Sequence, residues 1–218
     1  MPRRAWELSE ALSHGFVRLL QRAPSSHELQ AFSRYLSLLV QWNRAHHLTG
    51  YRTPAEITEK LFLDSLLFLR WIEPPFGKLL DFGAGAGIPG IPIKIVEPGM
   101  QVTLLEARRR RSSFLTTVVR ELELEGVQVR CERAEELLAS EPSLQSAFDF
   151  VVARAAGPLK SILPLALAFL TPGGRFIGSG PPTGKPIPPL PPGIRYHWES
   201  IRAPGMVTSR RFLIAEKS

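Results

Sequence analysis

One cysteine, Cys131, stands in the whole chain, which excludes an internal disulfide and suits a reducing compartment. No run approaches the roughly 18 uninterrupted apolar residues of a membrane span, so no membrane association is expected. The opening stretch MPRRAWELSEALSHGF has basic residues but no long apolar core followed by a small-residue cleavage site. A signal peptide is therefore not expected, and a cytoplasmic location is. The five histidines lack metal-ligand spacing, since His46 and His47 are adjacent and the others scattered, so no metal is expected. Lysine is scarce as well: of 27 basic residues, 21 are arginine and 6 lysine. Arginine's fixed fork of donors suits phosphate, which favours a nucleic-acid or nucleotide partner. A GC-rich genome would produce the same bias, and composition alone leaves the two open.

What is present reads as an ordinary globular protein. The 218 residues are 44% hydrophobic and 22% charged with a formal charge of +7, enough for one core plus a small appendage. Residues 1–75 read as helices. In His27–Arg44, Leu29, Phe32, Leu36, Leu39 and Val40 recur at helical spacing, with Pro24 before the helix and Ser25 or Ser26 as cap. A second helix starts near Pro54 behind Thr53 as N-cap, carries Ile57, Leu61, Ser65 and Phe68 on one side, and ends before Pro74-Pro75. From Lys78 short apolar runs alternate with helical patterns. Strands are expected at Leu79–Gly83, Gln101–Glu106, Val127–Cys131, Phe148–Ala153 and Gly174–Gly178. Between them Pro89–Val96, Arg108–Leu124, Ala134–Ala139 and Pro158–Leu170 have helical periodicity, which implies βαβ units and a parallel sheet. Two final strands, Ile194–Ile201 and Thr208–Ala215, have no helix between them and suit an antiparallel hairpin. The proline-rich Pro181–Gly193 joins them to strand five and is expected on the surface.

The informative stretch runs Leu79-Leu80-Asp81-Phe82-Gly83-Ala84-Gly85-Ala86-Gly87-Ile88-Pro89-Gly90. It leaves a strand, turns on glycines and enters a helix, the setting in which backbone approaches a nucleotide. The pattern by itself is ambiguous. Gly85, Gly87 and Gly90 also satisfy GxGxxG, and Glu106 lies 21 residues after Gly85, where a ribose-binding acid of a dinucleotide site belongs. Asp81 tips the reading. A pyrophosphate is repelled by a fixed anion, whereas S-adenosylmethionine carries an ammonium and a sulfonium that welcome a carboxylate. The plainer alternative for Asp81 is a cap on a neighbouring turn. Glu106 would take the ribose hydroxyls, and Ala134 and Glu135, after strand three, would lie by the adenine. Glu135 is equally suited to a solvated first turn. Together these features favour a Rossmann-like class I S-adenosylmethionine-dependent methyltransferase fold. That is a seven-stranded, mostly parallel sheet with a terminal antiparallel hairpin over 76–218, behind a helical N-terminal extension over 1–75.

The stretch from Leu79 to Glu136 strongly resembles the bacterial 16S ribosomal RNA guanine-N7 methyltransferases, the methyltransferase G family also called glucose-inhibited division protein B. WNRAHHLTG at Trp42–Gly50, EKLFLDSL at Glu59–Leu66 and FDFVVARA at Phe148–Ala155 agree, so the resemblance covers roughly residues 30–178. The continuation Ile88-Pro89-Gly90-Ile91-Pro92 makes it fairly specific. It implies methylation of N7 of one decoding-region guanine in small-subunit rRNA, with that RNA or an assembling subunit as partner; a monomer is the plain expectation. It also implies cofactor positions at Gly83, Ile88, Ala134, Glu135 and Arg154. The chain departs from the family where His47 replaces Asn, where Leu61 replaces His, and where Gly178-Ser179-Gly180 replaces a Lys-Gly; the nearest lysine is Lys185.

Guanine N7 carries a free lone pair in its neutral form, so its methylation needs positioning and no general base. No Asn/Asp-Pro-Pro-aromatic clamp for exocyclic amines follows strand four. Cys131 reads as a small buried hydrophobe inside strand three, away from the catalytic end. Arg154, just beyond strand four, reads as a cofactor or target contact, with a structural ion pair as the alternative. Asp64 and Ser65 suit a tie between extension and catalytic edge. Arg108-Arg109-Arg110-Arg111 opposes a helix dipole, a cost that RNA phosphates would offset, which marks it as the RNA-contact candidate. Arg3 and Arg4 suit a frayed terminus or a basic arm. Two other functions fit parts of the pattern: a small-molecule methyltransferase, and an NAD-dependent oxidoreductase or nucleotide-binding module.

Overall fold

The computed structural model describes residues 3–75, 77–180, 189–202 and 209–218, and side chains from Leu8 onward. Most of the proline-rich connection, Lys185 included, lies outside the described residues. Strands β1 (Lys78–Phe82), β2 (Gln101–Leu105), β3 (Val127–Arg130), β4 (Phe148–Arg154), β5 (Leu170–Gly180), β6 (Ile194–Ile201) and β7 (Arg210–Lys217) form one sheet. Their order is β3-β2-β1-β4-β5-β7-β6. The first five are parallel, and β7 runs antiparallel between β5 and β6. The chain reverses its winding between β1 and β4, and at such a switch point the strands' carboxyl ends open a crevice.

The helices distribute as the strand order requires. After α1 (Arg3–Leu20) and α2 (Ser26–His46), a compound helix begins as α3 (Pro54–Ile57) and passes through a π-helical turn at Thr58–Leu63. It continues as α4 (Asp64–Leu66) and a 3-10 turn at Leu67–Trp71. Then α5 (Gly90–Val96), α6 (Arg109–Glu121), α7 (Ala134–Ser140) and α8 (Leu159–Phe169) each join successive parallel strands. Arg3 and Arg4 open α1 and form no separate arm.

Capping explains where the extension's helices start. Ser25 accepts from the Glu28 amide while Glu28 reaches back to the Ser25 amide, and Thr53 and Glu56 repeat the arrangement, so two helix starts are satisfied reciprocally. At the other end of α2, His47 adopts the left-handed conformation (φ 48°, ψ 51°) and donates its amide to Asn43 O. Asn and His are both enriched at such positions, which accounts physically for the exchange of one for the other at this point of the family motif.

Strand alternation divides the core. Leu79, Leu104, Val152, Ile177 and Ile214 face the side covered by α5, α6 and the whole extension. Leu80, Phe82, Val151, Phe176 and Leu213 face α7 and α8. Phe68 meets Phe212 edge-on at 5.1 Å, and Phe16, Phe32, Phe62 and Tyr35 form an aromatic stack beneath α6. The extension therefore shares a continuous apolar core with one face of the sheet. Among the described residues no helix is long and apolar enough to cross a membrane.

Candidate functional site

A cavity of about 650 Å³ opens at the carboxyl ends of β1, β2, β3 and β4. Its walls include Gly83, Glu106, Arg111, Glu135, Ala156 and Ile162. The glycine loop between β1 and α5 meets it at Gly83, and the loop's backbone explains its composition. Gly83, Gly85 and Gly87 have φ of +72°, +60° and +84°, a region that costs a side-chain-bearing residue. At Gly87 a Cβ would also fall 2.3 Å from Ile91 Cδ1 and 2.9 Å from the Tyr35 hydroxyl.

Asp81 is fully buried under this loop. Its Oδ2 accepts from Gly90 N at 2.8 Å, while Oδ1 has no hydrogen-bond partner. Burial pushes the carboxyl up to about 7, against the pull of the Gly90 amide; the charge of Glu106 adds to the rise and that of Arg154 opposes it. Gly90 is a glycine because a Cβ would come within 2.7 Å of that carboxylate. Half of Asp81 thus serves the turn-capping role, and half is an uncompensated acceptor.

Glu106 is buried at the end of β2. It accepts from Gly85 N (3.0 Å) and Arg108 N (2.9 Å) and faces Arg111 at 3.8 Å. This carboxylate ties the glycine loop to the start of α6. The arginine cluster is divided by that geometry: Arg108 and Arg111 line the cavity, whereas Arg109 and Arg110 stand exposed on the first turn of α6. Ala134 is buried and Glu135 exposed, and both line the cavity at the start of α7. Ile88 is buried within the loop.

Arg154 ends β4 on the far side of this crevice. Its Nη2 pairs with Asp64 at 3.0 Å and donates to Lys60 O at 2.6 Å, while Nη1 is buried without a partner. Arg210 of β7 binds the other Asp64 oxygen. Desolvation lowers the pKa of Arg154, and Asp64 opposes that shift. Asp64, 1% exposed, is therefore a buried tie between the compound helix and two strands. Arg154 makes the structural ion pair, leaving one guanidinium nitrogen uncommitted.

One expectation is corrected and one residue was missed. Cys131 is not buried inside β3: the strand stops at Arg130, and the thiol is exposed on the cavity wall. Leu61 and Ser179 sit in regular packing, Leu61 in the core and Ser179 within β5 beside Arg154 and Phe212. The omission is Tyr35. Its hydroxyl, fully buried on α2, donates to Ala86 O of the glycine loop, and burial raises its pKa well above the ordinary value, so it stays a donor. A tyrosine on a core-facing helical stripe needs an acceptor for its hydroxyl, and that requirement was the available signal.

A family model described as rRNA small subunit methyltransferase G matches residues 28–178. A protein named ribosomal RNA small subunit methyltransferase G from Desulfitobacterium hafniense (strain Y51) is 39% identical over 155 residues, 71% of this chain and 64% of its own. One of the same name from Xanthomonas axonopodis pv. citri (strain 306) is 36% identical over 186 residues, 84% of each. With three of these curated relatives the chain spans 60 to 66% of their length. Among solved structures, a SAM-dependent methyltransferase from Aquifex aeolicus superposes with a TM-score of 0.54 at 18% identity, covering 76% of this chain and 94% of that one. TrmN from Thermus thermophilus superposes with a TM-score of 0.52 at 21% identity, covering 71% and 49%. These structural likenesses show the fold, a class I methyltransferase sheet with a helical N-terminal region.

Proposed function

The chain belongs to the rRNA small subunit methyltransferase G family, and from that footing we propose that it transfers the methyl group of S-adenosylmethionine to N7 of a guanine in small-subunit rRNA. The observation that carries the cofactor is the unpartnered Oδ1 of Asp81 beneath the glycine loop. A buried carboxylate oxygen without a donor is costly, and a cationic ligand relieves that cost. A dinucleotide fits less well, because the Gly90 amide that would meet a pyrophosphate is already spent on Asp81.

Asp81, Gly83, Gly85, Gly87 and Ile88 would hold the methionine end. Glu106 would accept from the ribose hydroxyls by exchanging its bonds to Gly85 and Arg108, and Ala134 and Glu135 would border the adenine. The free Nη1 of Arg154 supports a contact with cofactor or target, and the exposed Arg109 and Arg110 support one with RNA phosphates. When bound, S-adenosylmethionine supplies an electrophilic methyl on a sulfonium. The chain's residues have to orient the base and exclude water; N7 needs no proton removed, so no side chain acts as general base. The partner is a small ribosomal subunit or its assembly intermediate, in the cytoplasm of a bacterium, and the enzyme works as a monomer.

The test incubates the protein with methyl-labelled S-adenosylmethionine and small subunits from cells lacking this gene. Label recovered as 7-methylguanine from one rRNA fragment is the expected result. Label in another base, or none while the cofactor still binds, would overturn the assignment of substrate.

A further inference from the structure

A second cavity, of about 850 Å³, lies away from the glycine loop, where α2 ends and the chain turns toward α3. Asn43, Arg44, His47, Thr49, Arg52 and Thr53 are among its walls. It is a built feature. Asn43 Nδ2 donates to Tyr51 O at 2.9 Å and its Oδ1 accepts from Thr49 N at 2.8 Å, so one amide side chain fixes the whole turn. The left-handed His47 directs the chain out of α2, and Thr53 with Glu56 closes the other end.

The cavity's charge is one-sided. Arg44, His47 and Arg52 are exposed, and neither arginine is in an ion pair among the described residues. Three other arginines of the extension are paired: Arg22 with Glu28, Arg34 with Glu121 and Arg70 with Glu199. The nearby acid Glu56 is committed, since its Oε2 accepts from Thr53 N, Thr53 Oγ1 and Arg52 N. Unpaired cations gathered round a cleft repel one another, and an anion relieves the repulsion.

Its position ties it to the catalytic edge. Tyr51, whose carbonyl Asn43 holds, lies near both Arg154 and Arg210. Arg154 ends β4, and the next residues, Ala155 to Pro158, wall the cofactor cavity. The turn that Asn43 fixes thus lies near the arginine whose next residues wall the cofactor cavity. We propose that this second cleft grips the phosphate backbone of the substrate RNA beside the target base, with Arg44 and Arg52 as the phosphate ligands. The proposal rests on the RNA-methyltransferase reading above. A space this large with cations on two separate elements suits a stretch of backbone better than one small anion. The apolar lining is limited to small groups, Val40, Pro54 and Ala55, so the aromatic anchor typical of a protein partner is missing. Phosphate contacts require only donors and charge.

Direct binding decides it, measured as a function of salt with small subunits from cells lacking this gene. Arg44→Ala/Arg52→Ala is expected to weaken binding by about tenfold or more and to flatten the logarithmic salt slope by about one to two. Its affinity for S-adenosylmethionine and its melting temperature should match the parent protein. Arg44→Lys/Arg52→Lys should recover most of the salt slope, because that slope counts charges. Wild-type affinity and slope in the alanine variant would overturn the proposal, as would a parallel loss of cofactor binding. Weaker binding to polyglutamate with unchanged binding to subunits would assign the cleft to an acidic protein instead. Because the readout is binding, a parent protein that binds subunits without methylating them would sink the activity and leave the cleft's assignment decided.

Discussion

At the scale of single residues, Asp81 sets the clearest expectation. Its folded pKa of about 7 lies above the ordinary carboxyl value, so between about pH 4 and 7 the folded protein holds a proton that the unfolded chain has released. Its contribution to stability is therefore greatest below about pH 4, falls as pH rises to about 7, and is level above that. A cationic cofactor favours the ionised form, so S-adenosylmethionine affinity should climb with pH up to about 7, by at most about tenfold per unit, and then flatten. Asp81→Asn should abolish that climb in calorimetric titrations; a persisting climb would assign it to another group. Tyr35→Phe removes the donor to Ala86 O while keeping the ring stack. It should cost about 1 kcal/mol or somewhat more in urea melts, with weaker cofactor binding and little change in the methyl-transfer step at saturating cofactor. At this scale Asp81 and Glu106 were legible, because a strand, a glycine turn and a helix specify which side chains lie beneath the turn. Cys131 was not, since its exposure depends on the strand ending one residue sooner, and neighbouring sequence does not mark that boundary.

At the scale of elements, the compound helix from Pro54 to Trp71 shows what periodicity reaches. Ile57, Leu61, Ser65 and Phe68 all turn inward as their spacing indicates. The change to π-helical, back to α and then to 3-10 winding is not marked in that spacing, and a π-helical turn inside a longer helix frequently accompanies a functional site. Its product here is Asp64, seated between Arg154 and Arg210. Removing one partner of such a buried cluster leaves charges without compensation, at a cost of about 3–5 kcal/mol. Asp64→Ala should lower stability by that order in denaturant unfolding, whereas Ser65→Ala, which loses only a hydrogen bond to Leu61 O, should cost about 1 kcal/mol. Equal effects would mean that the ion pairs contribute little. Asp64 was foreseen as a tie, but its partner Arg210 lies 146 residues away, and no local pattern joins the two.

At the scale of the whole molecule, the extension and the sheet are one packed body. Leu12, Phe16, Phe32, Leu39 and Phe62 belong to the same apolar cluster as Leu79, Leu104 and Ile214. A fragment of residues 76–218 would expose the part of that face which the extension covers, so it is expected to be insoluble or to lack a cooperative melting transition. A soluble fragment with a sharp transition and cofactor binding would show the extension to be an accessory.

The amino-acid order by itself determined the alternation of strands and helices, the capped starts of α2 and α3, and the glycine loop with its acid. Each of these depends on residues within one or two turns of chain, where backbone geometry and side-chain spacing act directly. Only the tertiary structure decided that β7 lies between β5 and β6, that the four arginines divide between a cavity wall and open solvent, that Tyr35 reaches the glycine loop, and that Asp64 meets Arg154 and Arg210. Those outcomes depend on which distant surfaces bury one another, and burial is a property of the assembled core.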